Sequence, residues 1–254
     1  MNYATIFSDT NVVGFILLFF RFGALFIAVP IFSHQSIPLI MKTAMAFFFT
    51  VVFYASMQPV TFAINVPNVI LAILSELVFG LVIGIVLQLA FNVITFAGGQ
   101  ISFVMGFSMA SAIDPQSGIS MPIISQFLSL MALMMLFGLN LHHWMLLFIN
   151  NSLSAIPLGG FLMTKHMVSY IMHATANMFV VGFTIAFPLI ALSWMADIIF
   201  GMLMKTMPQF NLLVIGFPIK IIVSFLVLIA TLASAMLILT SQMQNSFNWL
   251  QNLF

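Results

Sequence analysis

The sequence contains no cysteine and very little charge. Without thiols there can be no disulfide, no haem thiolate and no zinc-thiolate site. Five basic and four acidic side chains stand among 254 residues, and the formal net charge is +1. A nucleic-acid partner is excluded, because neutralising phosphates requires a basic patch that five cations cannot supply. A water-soluble domain is excluded as well, since it would need many more charged residues at its surface.

Hydrophobic residues make up 63% of the chain, with 30 phenylalanines and 21 methionines. The charged residues are separated by apolar intervals long enough for a helix of about 20 residues to cross a bilayer. The composition therefore predicts an integral membrane protein. No basic cluster precedes the first apolar run and no small-residue cleavage site follows it, so we expect this segment to be retained.

Turn signals divide the apolar sequence into about six predicted helical stretches. They lie near Val12 to Phe32, Leu39 to Met57, Pro67 to Ala97, Pro122 to Asn150, Met167 to Leu203 and Leu212 to Ser241. The third and fifth are longer than one straight crossing requires, and Pro188 is a predicted break in the fifth. No segments alternate apolar with polar residues as a membrane β-barrel requires, so the predicted fold class is all-α.

Small and polar residues recur every four positions in two of these stretches. The third stretch carries Glu76, Gly80, Gly84, Gln88 and Asn92, and the fifth carries Ser193, Asp197, Gly201 and Lys205. In lipid, helices associate through close approach at small residues and through hydrogen bonds. Both stripes therefore predict packing surfaces, either within this chain or against other subunits.

Arg21 and Glu76 each lie inside an apolar run. Because a charge at membrane depth is costly unless it is paired or faces water, we predict that the two side chains pair with each other. A proton relay is the functional alternative for the acids. Relays usually need several acids in series, and only Glu76 and Asp197 lie well inside apolar runs.

Catalytic and metal-binding patterns are weak. Gly106 to Ala110 approximates the G-x-S-x-G pattern of serine hydrolases, but the final glycine is absent. His142 and His143 are adjacent, so on a helix they are not placed to chelate one metal as an i, i+4 pair would be. We expect no enzyme activity, no metal and no cofactor.

The stretch GFSMASAIDPQSGISMP, from Gly106 to Pro122, interrupts two apolar helices. Irregular backbone at membrane depth is tolerated where it is surrounded by protein or lines a water-filled cavity. Its mixture of apolar and very small side chains therefore predicts a compliant plug that excludes ions, as apolar constrictions do by dewetting. An extramembrane loop is the alternative. The predicted plug residues are Gly106, Phe107, Ser108, Met109, Ala110, Ser111, Ala112, Ile113, Asp114 and Pro115.

Several separated motifs resemble one family. They are RFGALFIAVPIF from Arg21, ELVFGLVIG from Glu76, AGGQISFVMGFSMASAIDP from Ala97, NLHHWMLLFINNSLSAIPLGG from Asn140 and GMLMKTMPQFNLLVIGFPIK from Gly201. Their order and spacing resemble the FliR family, the R subunit of the flagellar type III secretion export gate, which has injectisome counterparts. The most specific signature residues are Pro208, Gln209, Gly216, Phe217 and Pro218.

The resemblance implies a membrane-associated set of helical hairpins, with a P-like part over about residues 1–160 and further hairpins, including a Q-like part, over about 161–254. By the same resemblance, one copy of this chain is expected to join P and Q subunits in a helical pore complex through which unfolded flagellar proteins pass. The resemblance makes the loop near 106–122 the expected plug, although Met109 and Ala112 stand where members often have phenylalanine.

The resemblance also implies further partners and a location: the FlhB switch subunit, an FlhA-type export protein and membrane lipid. The complex is expected in the bacterial inner membrane and the flagellar basal body, standing partly above the membrane plane. Subunits would then cover many of the apolar runs in place of lipid. An injectisome export-gate subunit and a proton-coupled secondary carrier remain alternatives.

Overall fold

A computed structural model of the chain describes residues 9–33, 37–107, 122–207 and 212–252. The helices are α1 (Asp9–Ala28), α2 (Pro30–Ser33), α3 (Leu39–Phe53), α4 (Val66–Val104), α5 (Ile123–Gly138), α6 (Leu141–Ala155), α7 (Lys165–Thr206) and α8 (Phe217–Gln251). A 3-10 turn, Tyr54–Ser56, follows α3, and a π-helical turn, Leu212–Gly216, precedes α8. These ranges contain no β-strand, so the all-α prediction is confirmed.

The predicted helical stretches all coincide with helices, but the predicted end of the third stretch at Ala97 and the predicted break of the fifth at Pro188 are wrong. Helix α4 continues through Gly98 and Gly99 to Val104. A Cβ at Gly98 would lie 2.5 Å from the Cα of Ser125, so this glycine permits close approach of α5 and does not end its helix. Helix α7 continues without interruption through Pro188.

The fourth predicted stretch is divided into α5 and α6. Asn140, which precedes α6, has a φ of 57°, in the left-handed region that asparagine adopts more readily than most residues. Within the described ranges, five helical segments are long and apolar enough to cross a membrane: Thr10–Ala28, Leu39–Ser56, Val66–Val104, Lys165–Thr206 and Val214–Gln251. The pair α5 and α6, counted as one span, would make a sixth.

The chain divides into two compact packing units. The first contains the described residues up to Ala90, Leu139–Ala174 and those from Met243 onward; the second contains those of Phe91–Gly138 and Thr175–Gln242. Helices α4, α7 and α8 each contribute residues to both units.

In the first unit, α1 packs on α3 through aromatic rings and on α4 through glycines. The ring centroid of Phe22 lies 5.5 Å from that of Phe53, and the rings of Phe26 and Phe49 are 5.3 Å apart. Against α4, a Cβ at Gly84 would lie 2.2 Å from the Cβ of Ala28, which means that only glycine allows this separation of the two helices.

In the second unit, short polar side chains link the helices. The hydroxyl of Ser125 on α5 donates to the carbonyl of Thr95 on α4 at 2.8 Å, and the hydroxyls of Thr95 and Ser129 lie 3.1 Å apart. The amide of Asn177 on α7 donates to the side-chain oxygen of Gln242 on α8 at 2.7 Å. Hydrogen bonds of this kind join helices that have no hydrophobic driving force for association in lipid.

We expect Gly84→Ala to destabilise the protein by about 1–3 kcal/mol, because the new methyl group would overlap Ala28 across the α1–α4 contact. The matched control is Gly23→Ala on α1, where a Cβ would meet no atom within 4 Å. The control is expected to be neutral or slightly stabilising, since alanine is the better helix former. Thermal unfolding of the detergent-purified variants measures both effects, and equal midpoints for the two would contradict the packing argument.

Candidate functional site

Arg21 and Glu76 form a fully buried ion pair between α1 and α4. Their side chains are 1% and 0% exposed. The Nε of Arg21 donates to Oε2 of Glu76, and Nη2 donates to Oε1 at 3.0 Å. This two-pronged arrangement matches the planar guanidinium to the carboxylate and is the strongest form of such a pair. The structure thus brings together the two charges that the sequence places inside separate apolar runs.

The segment after α6 completes the environment of the pair. The backbone N–H of Gly159 donates to Oε1 of Glu76 at 2.6 Å. Arg21 also donates from Nη1 to the hydroxyl of Ser152 at 3.4 Å and from Nη2 to the carbonyl of Ile156 at 3.5 Å. The guanidinium carbon lies 4.5 Å from the ring centroid of Phe79, within the range of a cation–π contact.

Backbone conformation at Gly159 allows this approach. Its φ is +77°, in the region that favours glycine, and a Cβ there would lie 2.7 Å from the Cβ of Ala72 on α4. Close by, the hydroxyl of Ser75 donates to the carbonyl of Phe161 at 2.8 Å. The residues from Ile156 to Phe161 are therefore held on α4 by both Glu76 and Ser75, and the ion pair connects three separate parts of the chain.

The predicted plug begins at the end of α4, where the structure describes only its first two residues. Gly106 has a φ of +87°, and a Cβ there would lie 3.2 Å from the ring of Phe217. The ring of Phe107 lies 6.1 Å from that of Phe225, and the hydroxyl of Ser193 donates to the carbonyl of Val104 at 2.9 Å. The remaining predicted plug residues, Ser108 to Pro115, lie outside the described residues.

A second ion pair joins α7 and α8. The Nζ of Lys220 donates to Oδ1 and Oδ2 of Asp197 at 2.7 and 3.0 Å. The lysine side chain is 9% exposed, whereas that of the aspartate is 57% exposed. Sequence reasoning identified Asp197 but not its partner. Lys220 also lies inside an apolar run, where a buried lysine is costly unless an acidic side chain pairs with it. That cost was the signal that could have identified Lys220 as the partner of Asp197.

The other predicted residues occupy varied positions. Gln88 is half-buried on α4, and Lys205 is exposed near the end of α7. A Cβ at Gly201 would meet no atom of the described part of the chain within 4 Å. Among the family signature residues, Gly216 is buried, Phe217 half-buried and Pro218 exposed, whereas Pro208 and Gln209 lie outside the described residues.

The described part of the chain has no group of three or more histidine, aspartate or glutamate side chains that could hold a metal ion. The adjacent rings of His142 and His143 pack on each other, with centroids 4.2 Å apart. Ser108, the serine of the weak hydrolase pattern, lies outside the described residues. The arrangement around Arg21 and Glu76 is suited to holding helices together, since both carboxylate oxygens accept hydrogen bonds inside the protein.

We expect either Arg21→Met or Glu76→Leu to destabilise the protein by about 3–5 kcal/mol, because each leaves a buried partner without its counterpart. The double variant Arg21→Met, Glu76→Leu should be less destabilised than either single variant, since it leaves no unpaired charge. Unfolding of purified protein in detergent measures the cycle, with Lys205→Met as an exposed-cation control that should have no measurable effect. Strictly additive losses would show that the two side chains are not coupled.

Comparisons with known proteins agree over almost the whole chain. The sequence model of the family described as "Bacterial export proteins, family 1" matches residues 12–246. Three similar proteins carry the name "Flagellar biosynthetic protein FliR". That of Bacillus subtilis (strain 168) is 31% identical over 247 residues, covering 94% of each chain.

The protein of Escherichia coli (strain K12) is 26% identical over 233 residues, covering 92% of this chain and 88% of its own. That of Aquifex aeolicus (strain VF5) is 23% identical over 242 residues, covering 94% of this chain and 93% of its own. With a match of this extent, the chain belongs to bacterial export protein family 1, the FliR family.

Proposed function

We propose that this chain is a core, non-enzymatic subunit of the flagellar type III protein export gate in the bacterial inner membrane. The observation that carries the proposal is its FliR-family match, which extends from residue 12 to residue 246. Relatives from distant bacteria share the name of a flagellar biosynthetic protein, and this favours a flagellum over an injectisome. The chain would be part of the basal body, and its cargo would be unfolded flagellar proteins.

The gate would be built jointly with P and Q subunits, with one copy of this chain in a helical pore complex. In support, α3 exposes many apolar side chains, including Ile40, Phe48 and Val52. Such surfaces require lipid or protein cover. The proposal also assigns P-like hairpins to about residues 1–160 and a Q-like part to a portion of about 161–254. FlhB and an FlhA-type protein would dock on the assembly, which would stand partly above the membrane plane.

Within this gate, the segment from Gly106 to Pro115 would be the plug of the closed pore. Its first residues leave α4 through a turn that packs on Phe217 and Phe225. A plug needs such a fixed base, because its remaining residues must yield when cargo passes. Phe107, Met109 and Ile113 would supply the apolar part of the seal, and methionine suits a compliant surface because its side chain is flexible.

The structure gives less support to a proton-coupled carrier. Carriers of that class use acids at mid-membrane that bind and release ions or protons. Glu76 is fully buried and hydrogen-bonded by Arg21 and Gly159, and Asp197 is paired with Lys220. Both acids are thus engaged in ion pairs that join helices, and the energy for export would come from other components of the apparatus.

We expect deletion of Ser108 to Ile113 to leave the complex assembled but permeable to ions, because the apolar constriction is removed while the helices remain. The P and Q subunits are co-expressed with the deletion variant and with the wild type. Assembly is measured by the native mass of the purified complex, and conductance is measured in planar bilayers.

The matched control is a variant in which the same six residues are permuted. It keeps loop length, volume and polarity, so it should conduct no more than the wild type. If the deletion variant assembles and its conductance equals that of the wild type, the segment is not the plug. If the wild type recovers neither P nor Q subunits, the proposed assembly itself is wrong.

A further inference from the structure

An exposed patch of mixed polarity surrounds Asp197 on α7. Trp194 lies one turn before Asp197, Gly201 lies one turn after it, and Ile198 follows it directly, so all four share one part of the helix surface. Trp194 is 60% exposed and Ile198 is 64% exposed. We name these four residues the Asp197 patch. It lies entirely within the second packing unit.

Neither water nor lipid is a suitable cover for the Asp197 patch. In water, the exposed tryptophan and isoleucine would leave a large apolar surface unburied. In hydrocarbon, the carboxylate of Asp197 would keep its contact with Lys220, but the side chain is 57% exposed and its exposed part would have no polar partner. A protein surface that offers apolar side chains around one polar group satisfies both requirements.

Gly201 leaves an opening beside the carboxylate. Among the described residues, a Cβ at this position would meet no atom within 4 Å, which distinguishes it from Gly182 earlier in α7, where a Cβ would lie 2.7 Å from the ring of Phe96. Gly182 is therefore explained by packing inside this chain, whereas Gly201 is not. A glycine with free space before it lets the backbone of a neighbouring helix approach closely.

The charge of Asp197 indicates what the neighbour must present. Lys220 already contacts both carboxylate oxygens and balances their charge. A second cation beside Asp197 and Lys220 would leave these three charged groups with a net positive charge inside the contact. A neutral donor would instead form a hydrogen bond with a carboxylate lone pair on the exposed side of Asp197. The complementary surface is thus apolar, with a hydroxyl or amide donor opposite Asp197.

We propose that the Asp197 patch is an intersubunit contact, occupied by a helix of a sister export-gate subunit that donates a hydrogen bond from a serine, threonine, asparagine or glutamine to Asp197. This inference rests on the proposed function, since it requires P or Q subunits in the assembly. Tryptophan at such a contact would supply much of the binding, as it does in protein interfaces generally.

The test is Gly201→Leu in the complex co-expressed with P and Q subunits. Because a Cβ at Gly201 would meet no atom of the described residues within 4 Å, we expect the leucine variant to fold and reach the membrane as the wild type does. It would, however, fill the space that the neighbouring helix occupies. We expect recovery of the sister subunits with the tagged chain to fall about tenfold or more, as overpacking at a close contact predicts.

Gly99→Leu is the matched control, because Gly99 is also a helical glycine of the second unit with nothing within 4 Å. It should retain the sister subunits. A photo-crosslinking amino acid at position 198 gives an independent readout, and an adduct with a P or Q subunit is the expected product.

Three results would each overturn the inference. They are unchanged recovery of the sister subunits with Gly201→Leu, an equal loss of those subunits with the Gly99→Leu control, and crosslinked adducts with lipid or with this chain alone. These outcomes are distinct from failure of the proposed function. In that case the wild-type chain itself would recover no P or Q subunit.

Discussion

The ion pair between Arg21 and Glu76 is the constraint on which the first packing unit depends. A guanidinium and a carboxylate that are both removed from solvent tolerate no loose arrangement, because each unmet hydrogen bond would be costly. The pair therefore fixes α1 against α4, and through the N–H of Gly159 it also fixes the segment after α6. Three parts of the chain that are distant in sequence acquire one mutual geometry from a single polar contact.

Glycines make this geometry accessible. Gly80 and Gly84 lie one and two turns after Glu76 on α4, and in both cases a Cβ would overlap an alanine of α1. The backbones of the two helices can thus approach closely enough for the charged side chains to meet over a short distance. Small residues and a buried charge are two aspects of one contact, which explains why they recur together at four-residue spacing.

The sequence allowed the helices and this contact to be predicted, because both depend on local periodicity and on the cost of an unpaired charge. It did not reveal the role of Gly159, whose contact with Glu76 depends on how a distant segment returns to α4. The predicted end of the third stretch at Ala97, directly before Gly98, was wrong, since a glycine that stops a helix and one that accommodates a neighbour are identical in sequence. Most of the predicted plug lies outside the described residues, so its role stays a prediction.

The exposed surfaces of the chain differ in the cover that they require. On α3 the exposed side chains are almost all apolar, and the hydroxyl of Thr43 is already bonded to the carbonyl of Ile40. Lipid and apolar protein would both suit that surface. Around Asp197, apolar side chains surround a carboxylate that is paired with Lys220 on one side and exposed on the other, and lipid does not suit this surface. A chain that needs protein cover at one surface and accepts lipid at another has the properties of a subunit within a membrane assembly, and the difference follows from where its few charges stand.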